Sequence, residues 1–117
     1  MILLEIDGHR ILEVEASGRP LGTEGDATDL IGEAYGQNAD LITVPVSRLH
    51  PDFLELRTGM AGAFLQKMQT YSYRFAVVGD LSQMIAASTA LRDFVHESNK
   101  VGQTLFVADR TELVSRL

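Results

Sequence analysis

The spacing of apolar residues changes period in a regular way along the chain. Ile2, Leu4 and Ile6 recur at every second position, as do Leu12, Val14 and Ala16, with Asp7-Gly8-His9 between them. Alternation fits strands, and Asp-Gly between two such runs signals a hairpin. Ser17–Gly25 is rich in glycine and holds Pro20, so it reads as a loop. Ala27, Leu30, Ile31, Ala34 and Tyr35 then follow helical spacing, with Gly36 or Asn38 as the stop. Leu41–Val46 is continuously apolar, as expected of a strand buried on both faces, and Pro45 should end it.

The second helix carries an apolar stripe of Phe53, Leu56, Met60, Phe64, Met68 and Tyr71, with Leu54, Ala61 and Leu65 beside it. Its start has two readings. Asp52-x-x-Glu55 resembles a capping box, or a turn fills Asp52–Arg57 and Thr58 caps a helix from Gly59. Gly59 and Gly62 would let that helix start lie close to a neighbouring backbone or ligand, with packing on the sheet as the simpler explanation. Phe75–Val78 is another buried run closed by Gly79-Asp80. A third helix covers part of Ser82–Ser98, capped by Ser82 or Ser88, and Asn99 and Gly102 supply the turn after it. Thr104–Ala108 is the last strand, and Asp109-x-x-Glu112 opens a short C-terminal helix with Leu113, Val114 and Leu117 on one side.

The order is therefore β-β-α-β-α-β-α-β-α, an α/β fold with a mixed, mostly parallel five-stranded sheet in one domain spanning residues 1–117. The crossovers should be right-handed. If they all advance in one direction, the three main helices cover one face. The other face is then left to the C-terminal helix or to a second molecule, which makes a homodimer the expectation. Doubly wound packing with helices on both faces is the alternative. Phe64, Leu65, Val77, Val78, Leu91, Phe94 and Phe106 are the predicted core.

Composition narrows the function classes. The chain holds 10 basic and 16 acidic residues for a net charge of −6, with no Lys/Arg block, so a nucleic-acid partner is not expected. With no cysteine, thiolate catalysis and zinc-thiolate sites are excluded. The start, MILLEIDGHRILEVE, lacks the basic opening of a signal peptide, and no apolar run approaches the roughly 18–20 residues needed to span a bilayer. A cytoplasmic location with no membrane partner is the expectation. His9, His50 and His96 are far apart in sequence and none has a His or Cys neighbour at helical or strand spacing, so no metal or cofactor is expected. There is no phosphate loop, no dinucleotide fingerprint and no nucleophile elbow.

Topology sorts the remaining polar residues into two groups. Arg57, Thr58, Gly59, Gly62, Asp80 and Ser82 fall at the carboxyl end of the strands, with Ser47, Arg48 and Asp109, where parallel sheets bind ligands. Backbone N–H groups near Gly59, with Arg57, could receive a small anion. Asp80 alone reads more simply as a turn or cap residue. Gln66, Lys67, Tyr71, Glu97 and Asn99 follow the helices back toward the strand starts, as a helix-end network or a partner surface.

Phe53, Leu56, Thr58-Gly59, Ala61-Gly62, Leu65-Gln66-Lys67, Tyr71 and Ala76-Val77-Val78-Gly79-Asp80 form a pattern that continues in Asp93-Phe94, Glu97-Ser98-Asn99-Lys100 and Phe106. This pattern resembles a small bacterial family of unknown function, domain-of-unknown-function family four-one-eight-zero, well over Phe53–Leu117 and by layout before it. Two positions depart from the family: Ala63 stands where members carry a glutamate, and Val101 separates Lys100 from Gly102. The resemblance brings no activity with it. A weaker likeness, in strand and helix order, is to the STAS-like anti-sigma-factor-antagonist domains. Some of these are phosphorylated at a Ser-Gly helix start, but Arg57 stands where their aspartate would precede Thr58. A regulatory or protein-interaction module is the leading expectation, a small anionic ligand binder the second, and an enzyme the third.

Overall fold

The computed structural model describes residues 1–117 and holds five strands in the order β1-β2-β3-β4-β5. β1 (Ile2–Ile6) pairs antiparallel with β2 (His9–Glu13), and β3 (Leu41–Pro45), β4 (Arg74–Val78) and β5 (Thr104–Val107) continue in parallel. The hairpin turns at Asp7 and Gly8, both at positive φ (50° and 81°). That is the backbone a two-residue hairpin loop demands, and the reason Asp-Gly marks it.

Helix α1 (Glu24–Gly36) links β2 to β3, and α2 (Met60–Thr70) links β3 to β4. The third connection is two helices, not one: α3 (Ser82–Ala87) and α4 (Thr89–Val101). The break is at Ser88, whose extended backbone (φ −142°, ψ 109°) stops α3 while its hydroxyl accepts the Leu91 N–H at 3.1 Å to start α4. Helix α5 (Arg110–Ser115) follows β5. Asp109 caps it at the Glu112 N–H, and Glu112 reaches back to the Ala108 N–H at 2.7 Å. Of the two readings for the second helix, the later start holds. A short 3-10 turn over Leu56–Thr58 precedes Gly59, and α2 begins at Met60.

Alternation sends the two sides of each strand into different cores. Leu12, Ile42, Val44, Phe75, Val77 and Phe106 join Ala27, Leu30, Ile31, Phe64, Met68, Leu91 and Val95 from α1, α2 and α4 in one cluster. All the long helices therefore lie on one face, as a sheet in chain order requires. At its centre Phe53, Phe64 and Phe75, each fully buried, pack in series, the first pair edge-on and the second tilted, with ring centroids 5.3 and 5.1 Å apart, tying the β3–α2 loop, α2 and β4 together. Of the predicted core, Phe64, Val77, Leu91 and Phe106 are buried. Leu65 and Phe94 are only half-buried at the rim of this cluster, and Val78 ends its strand at the edge of the other.

The opposite face collects Ile11, Leu41, Ala76, Leu105 and Val107, and Leu113 of α5 closes it, with Leu4, Ile6, Val78 and Leu117 packed around. Ile11, Leu41, Ala76 and Leu105 are each 2% exposed or less within a single chain. An ion pair from Arg110 to Glu13 pins α5 across the sheet to β2. The face for which a second molecule was expected is thus covered by α5, and only Ile2 at its far edge is widely exposed.

Gly79 holds φ +150°, and a Cβ there would lie 2.7 Å from Val46 Cγ2, so the turn after β4 requires glycine. The space beside Gly59 and Gly62 is open, contrary to the expectation of a close approach there. The close approach is at Gly22, buried against Met60 at the start of α2.

Val77→Asp tests the strand assignment. Burying an unpaired carboxylate at this fully buried position should cost several kcal/mol and lower the melting temperature by about 10 °C or more. A shift within about 1–2 °C, implying well under 1 kcal/mol, would contradict the assignment.

Candidate functional site

The carboxyl-end residues chosen from the sequence are occupied with closing their own turns. The Thr58 hydroxyl lies 2.8 and 2.9 Å from the carbonyls of Asp52 and Glu55, to which it donates, and accepts the Met60 N–H at 3.3 Å. Arg57 extends into solvent, 3.4 Å from the Glu55 carboxylate. Asp80 accepts the Ser82 N–H at 2.9 Å, and that bond, with the Ser82 hydroxyl, holds its carboxyl below its ordinary range. None of the five main surface hollows is lined by Arg57, Thr58, Gly59, Gly62, Asp80 or Ser82. The topology gives the reason. Ligand crevices in open parallel sheets arise where successive crossovers leave for opposite faces, and those around β3 and β4 leave for the same one.

The second group is dispersed. Asn99, near the end of α4, donates from Nδ2 to the Phe106 carbonyl at 3.0 Å and accepts the Phe106 N–H at Oδ1 at 2.7 Å. Because β5 is an edge strand, this side-chain amide replaces a missing neighbour strand there. Glu97 borders a shallow hollow with Leu65, Phe94 and Val101, Lys67 lies by Glu24 and Thr28, and Gln66 is exposed. Tyr71 belongs elsewhere.

All three tyrosines of the chain, Tyr35, Tyr71 and Tyr73, meet at one hollow of about 490 Å³ between α1 and the turn from α2 into β4, with Ile31, Gly32 and Thr28 completing its wall. Tyr35 is 77% exposed and Tyr71 54%, unusual for large aromatic side chains. Tyr73 is half-buried, and burial pushes its hydroxyl pKa up, with the nearby Tyr35 phenol and the Asp40 carboxylate opposing its ionisation as well. Sequence reading assigned Tyr35 and Tyr71 to separate apolar stripes and gave Tyr73 no role, so the convergence went unseen.

The long β2–α1 loop is fixed by two charged residues that sequence reading also missed as organisers. Arg48, after β3, donates to the carbonyls of Glu15, Ser17 and Arg19 at 2.9, 3.0 and 2.7 Å. Asp26, 4% exposed, accepts from Arg19 Nη2 at 2.7 Å and from the N–H groups of Gly22 and Thr23 at 2.9 and 3.0 Å, while its own N–H reaches the Thr23 hydroxyl. Burial pushes the Asp26 carboxyl up, but the guanidinium and the backbone donors outweigh it and hold the group far below the usual carboxylate range. Thr23-x-x-Asp26 is a capping box, and that spacing was the available signal.

No group of three or more His, Cys, Asp or Glu side chains is placed to hold a metal, and no helix is long and apolar enough to cross a membrane. Comparison with known families finds one whose model, described as domain of unknown function (DUF4180), matches residues 6–117. The chain belongs to this family. No curated protein matches it. No solved structure matches it either, so the likeness to STAS-like domains stays one of element order. Within this DUF4180 chain, the positions that carried the resemblance include core residues (Phe53, Ala76, Val77, Phe106), turn closures (Thr58, Asp80) and the Asn99 tie to the edge strand, while Gln66, Tyr71, Asp93, Glu97 and Lys100 are exposed.

Two outcomes check these roles. Because the folded-state pKa of Asp26 is depressed, its ionised form contributes stability above its unfolded pKa of about 3.9, and that contribution fades as pH falls toward the folded value. Asp26→Asn should lower stability at pH 7 by about 1–3 kcal/mol and flatten the pH dependence of the melting temperature below about pH 5. Asn99→Ala should cost about 1–2 kcal/mol and speed hydrogen exchange at the Phe106 amide, read by NMR.

Proposed function

We propose that this protein is an interaction module that receives a basic side chain of a partner protein in the hollow formed by Tyr35, Tyr71 and Tyr73. The observation that carries the reading is the convergence of all three tyrosines, two of them widely exposed, on one hollow. Tyrosine combines a broad apolar face with a hydroxyl at little cost in conformational entropy, which suits it to interfaces.

Charge favours a cationic guest. The ring faces carry partial negative charge and attract ammonium or guanidinium groups. Asp40 adds negative charge beside Tyr73, and α1 carries Glu24, Asp29 and Glu33 with no base in its last turn. The chain as a whole stands at −6. Lys67 lies beside Glu24 and Thr28, but the carboxylates outnumber it on this side, and an acidic guest would meet net repulsion.

Titration with a short lysine- and arginine-containing peptide, followed by NMR, tests the proposal against a glutamate-rich peptide of equal length. The basic peptide should shift signals of Thr28, Ile31, Gly32 and the three tyrosines and weaken with added salt, and the acidic peptide should not bind. Tyr35→Ala and Tyr71→Ala alter exposed side chains, so both variants should melt near wild type and each lose roughly 2- to 30-fold in affinity. Equal binding of the two peptides, or undiminished binding by the folded tyrosine variants, would overturn the reading.

A further inference from the structure

On the opposite face, beneath α5, the sheet holds a second and smaller hollow of about 220 Å³ that reaches from the ends of β2 and β3 to Leu113. Its wall is mainly apolar: Val14, Pro45, Val78 and Leu113. Thr43 lines it from the centre of the sheet. This threonine is 3% exposed, and its hydroxyl makes no hydrogen bond to the protein. No buried side-chain oxygen or nitrogen is sealed away without a partner, so the Thr43 hydroxyl opens onto the hollow. Glu13, its neighbour in register on β2, lines the hollow beside it.

The charged groups at the rim are already matched. Glu13 is paired with Arg110, and Glu15 takes the Met1 ammonium and lies 3.9 Å from Arg48. A charged guest would compete with these pairs and shed part of its own hydration against an apolar wall. An uncharged guest faces neither penalty and gains the free hydroxyl. Size narrows the class further, because 220 Å³ is below the roughly 300–1,000 Å³ of pockets for drug-sized ligands. Nucleotides and other large cofactors are too big.

We infer that the hollow between β2, β3 and α5 is a binding site for a small uncharged molecule with a short apolar body and one hydrogen-bonding group, which bonds to the Thr43 hydroxyl. The site is independent of the tyrosine hollow, which lies on the other side of the sheet. A guest here packs against Leu113 and so links occupancy to the seating of α5.

The test uses the whole chain and three probes of matched length: n-butanol, n-butylammonium and butyrate. Methyl-resolved NMR should show saturable millimolar binding of butanol, with shifts at Val14, Thr43, Val78 and Leu113. The two charged probes should bind at least about tenfold more weakly. Thr43→Val keeps the shape and removes the hydroxyl, and it should weaken butanol several-fold while the melting temperature holds or rises. If Thr43→Val fails to fold, Thr43→Ser, which retains the hydroxyl, should still bind butanol. Lack of saturation by butanol, equal binding of the charged probes, or equal butanol affinity in folded Thr43→Val would show a hollow that holds water only, and would overturn the inference.

Discussion

A right-handed crossover places its helix on one fixed side of a parallel sheet, and a chain that keeps stepping in the same direction repeats that side. Here the strands lie in chain order from β1 to β5, so α1, α2 and the α3–α4 pair share a face. That arrangement gives one thick core, centred on the Phe53–Phe64–Phe75 series, and one thin face left to six residues of α5. A helix of that length buries little area by itself. Its seat depends on Leu113 and Leu117 below it, the Asp109–Glu112 cap at its start and the Arg110–Glu13 pair that reaches across to β2.

Stepping in one direction also removes the crevice that an order reversal would open at the strand ends. The segments leaving β3 and β4 share only a hollow lined by Pro51, Leu54, Glu55, Met84, Ala87, Ser88 and Leu91, and two of their polar residues turn instead to the backbone. Thr58 and Asp80 are spent on Asp52, Glu55 and Ser82. The loop between β2 and α1 has glycines at 18 and 22 and only Val14 and Leu21 as buried apolar anchors, so it is not held by burial alone. Arg48 gathers three of its carbonyls, and Asp26 gathers two of its N–H groups and Arg19. Both sets are charge-assisted bonds, stronger than neutral ones. Even so, Arg19 is largely solvated, which limits what its pair with Asp26 contributes.

The elements were legible in the sequence because each is written in a local period: alternation before and after Asp7-Gly8, helical stripes, and the apolar runs of β3 and β4. Pro45 and Asp109-x-x-Glu112 marked boundaries through chemistry confined to a few residues. Ser88 was legible as a cap but not as a break, since a helical stripe runs through it. The hollows were not legible, because each is assembled across long separations. Tyr35 and Tyr71 each fit a helical stripe, and only the packing of α1 on α2 brings them together with Tyr73. Thr43 sits in an apolar run where its hydroxyl looks incidental, and only the placing of the short α5 against the ends of β2 and β3 leaves it a space. Asn99 looked like a turn residue, and its bond to Phe106 depends on β5 being an edge.

The two hollows differ in the physical quantity that would select their guests. The tyrosine hollow is broad and open and lined by exposed aromatic faces, so positive charge on the guest is an advantage there under the proposed reading, and salt should weaken it. The Thr43 hollow is smaller, with an apolar wall and rim charges that satisfy one another, so charge on the guest is a penalty. The contrast follows from the layers. On the helical face, Tyr35 of α1 and Tyr71 at the end of α2 stand widely exposed around their hollow. On the other face the six residues of α5 leave a space between Leu113, Thr43 and the ends of β2, β3 and β4. A larger side chain at Ala16, which lines the Thr43 hollow and is exposed, would therefore narrow that hollow without touching the tyrosines, and the two sites can be separated in a single folded chain.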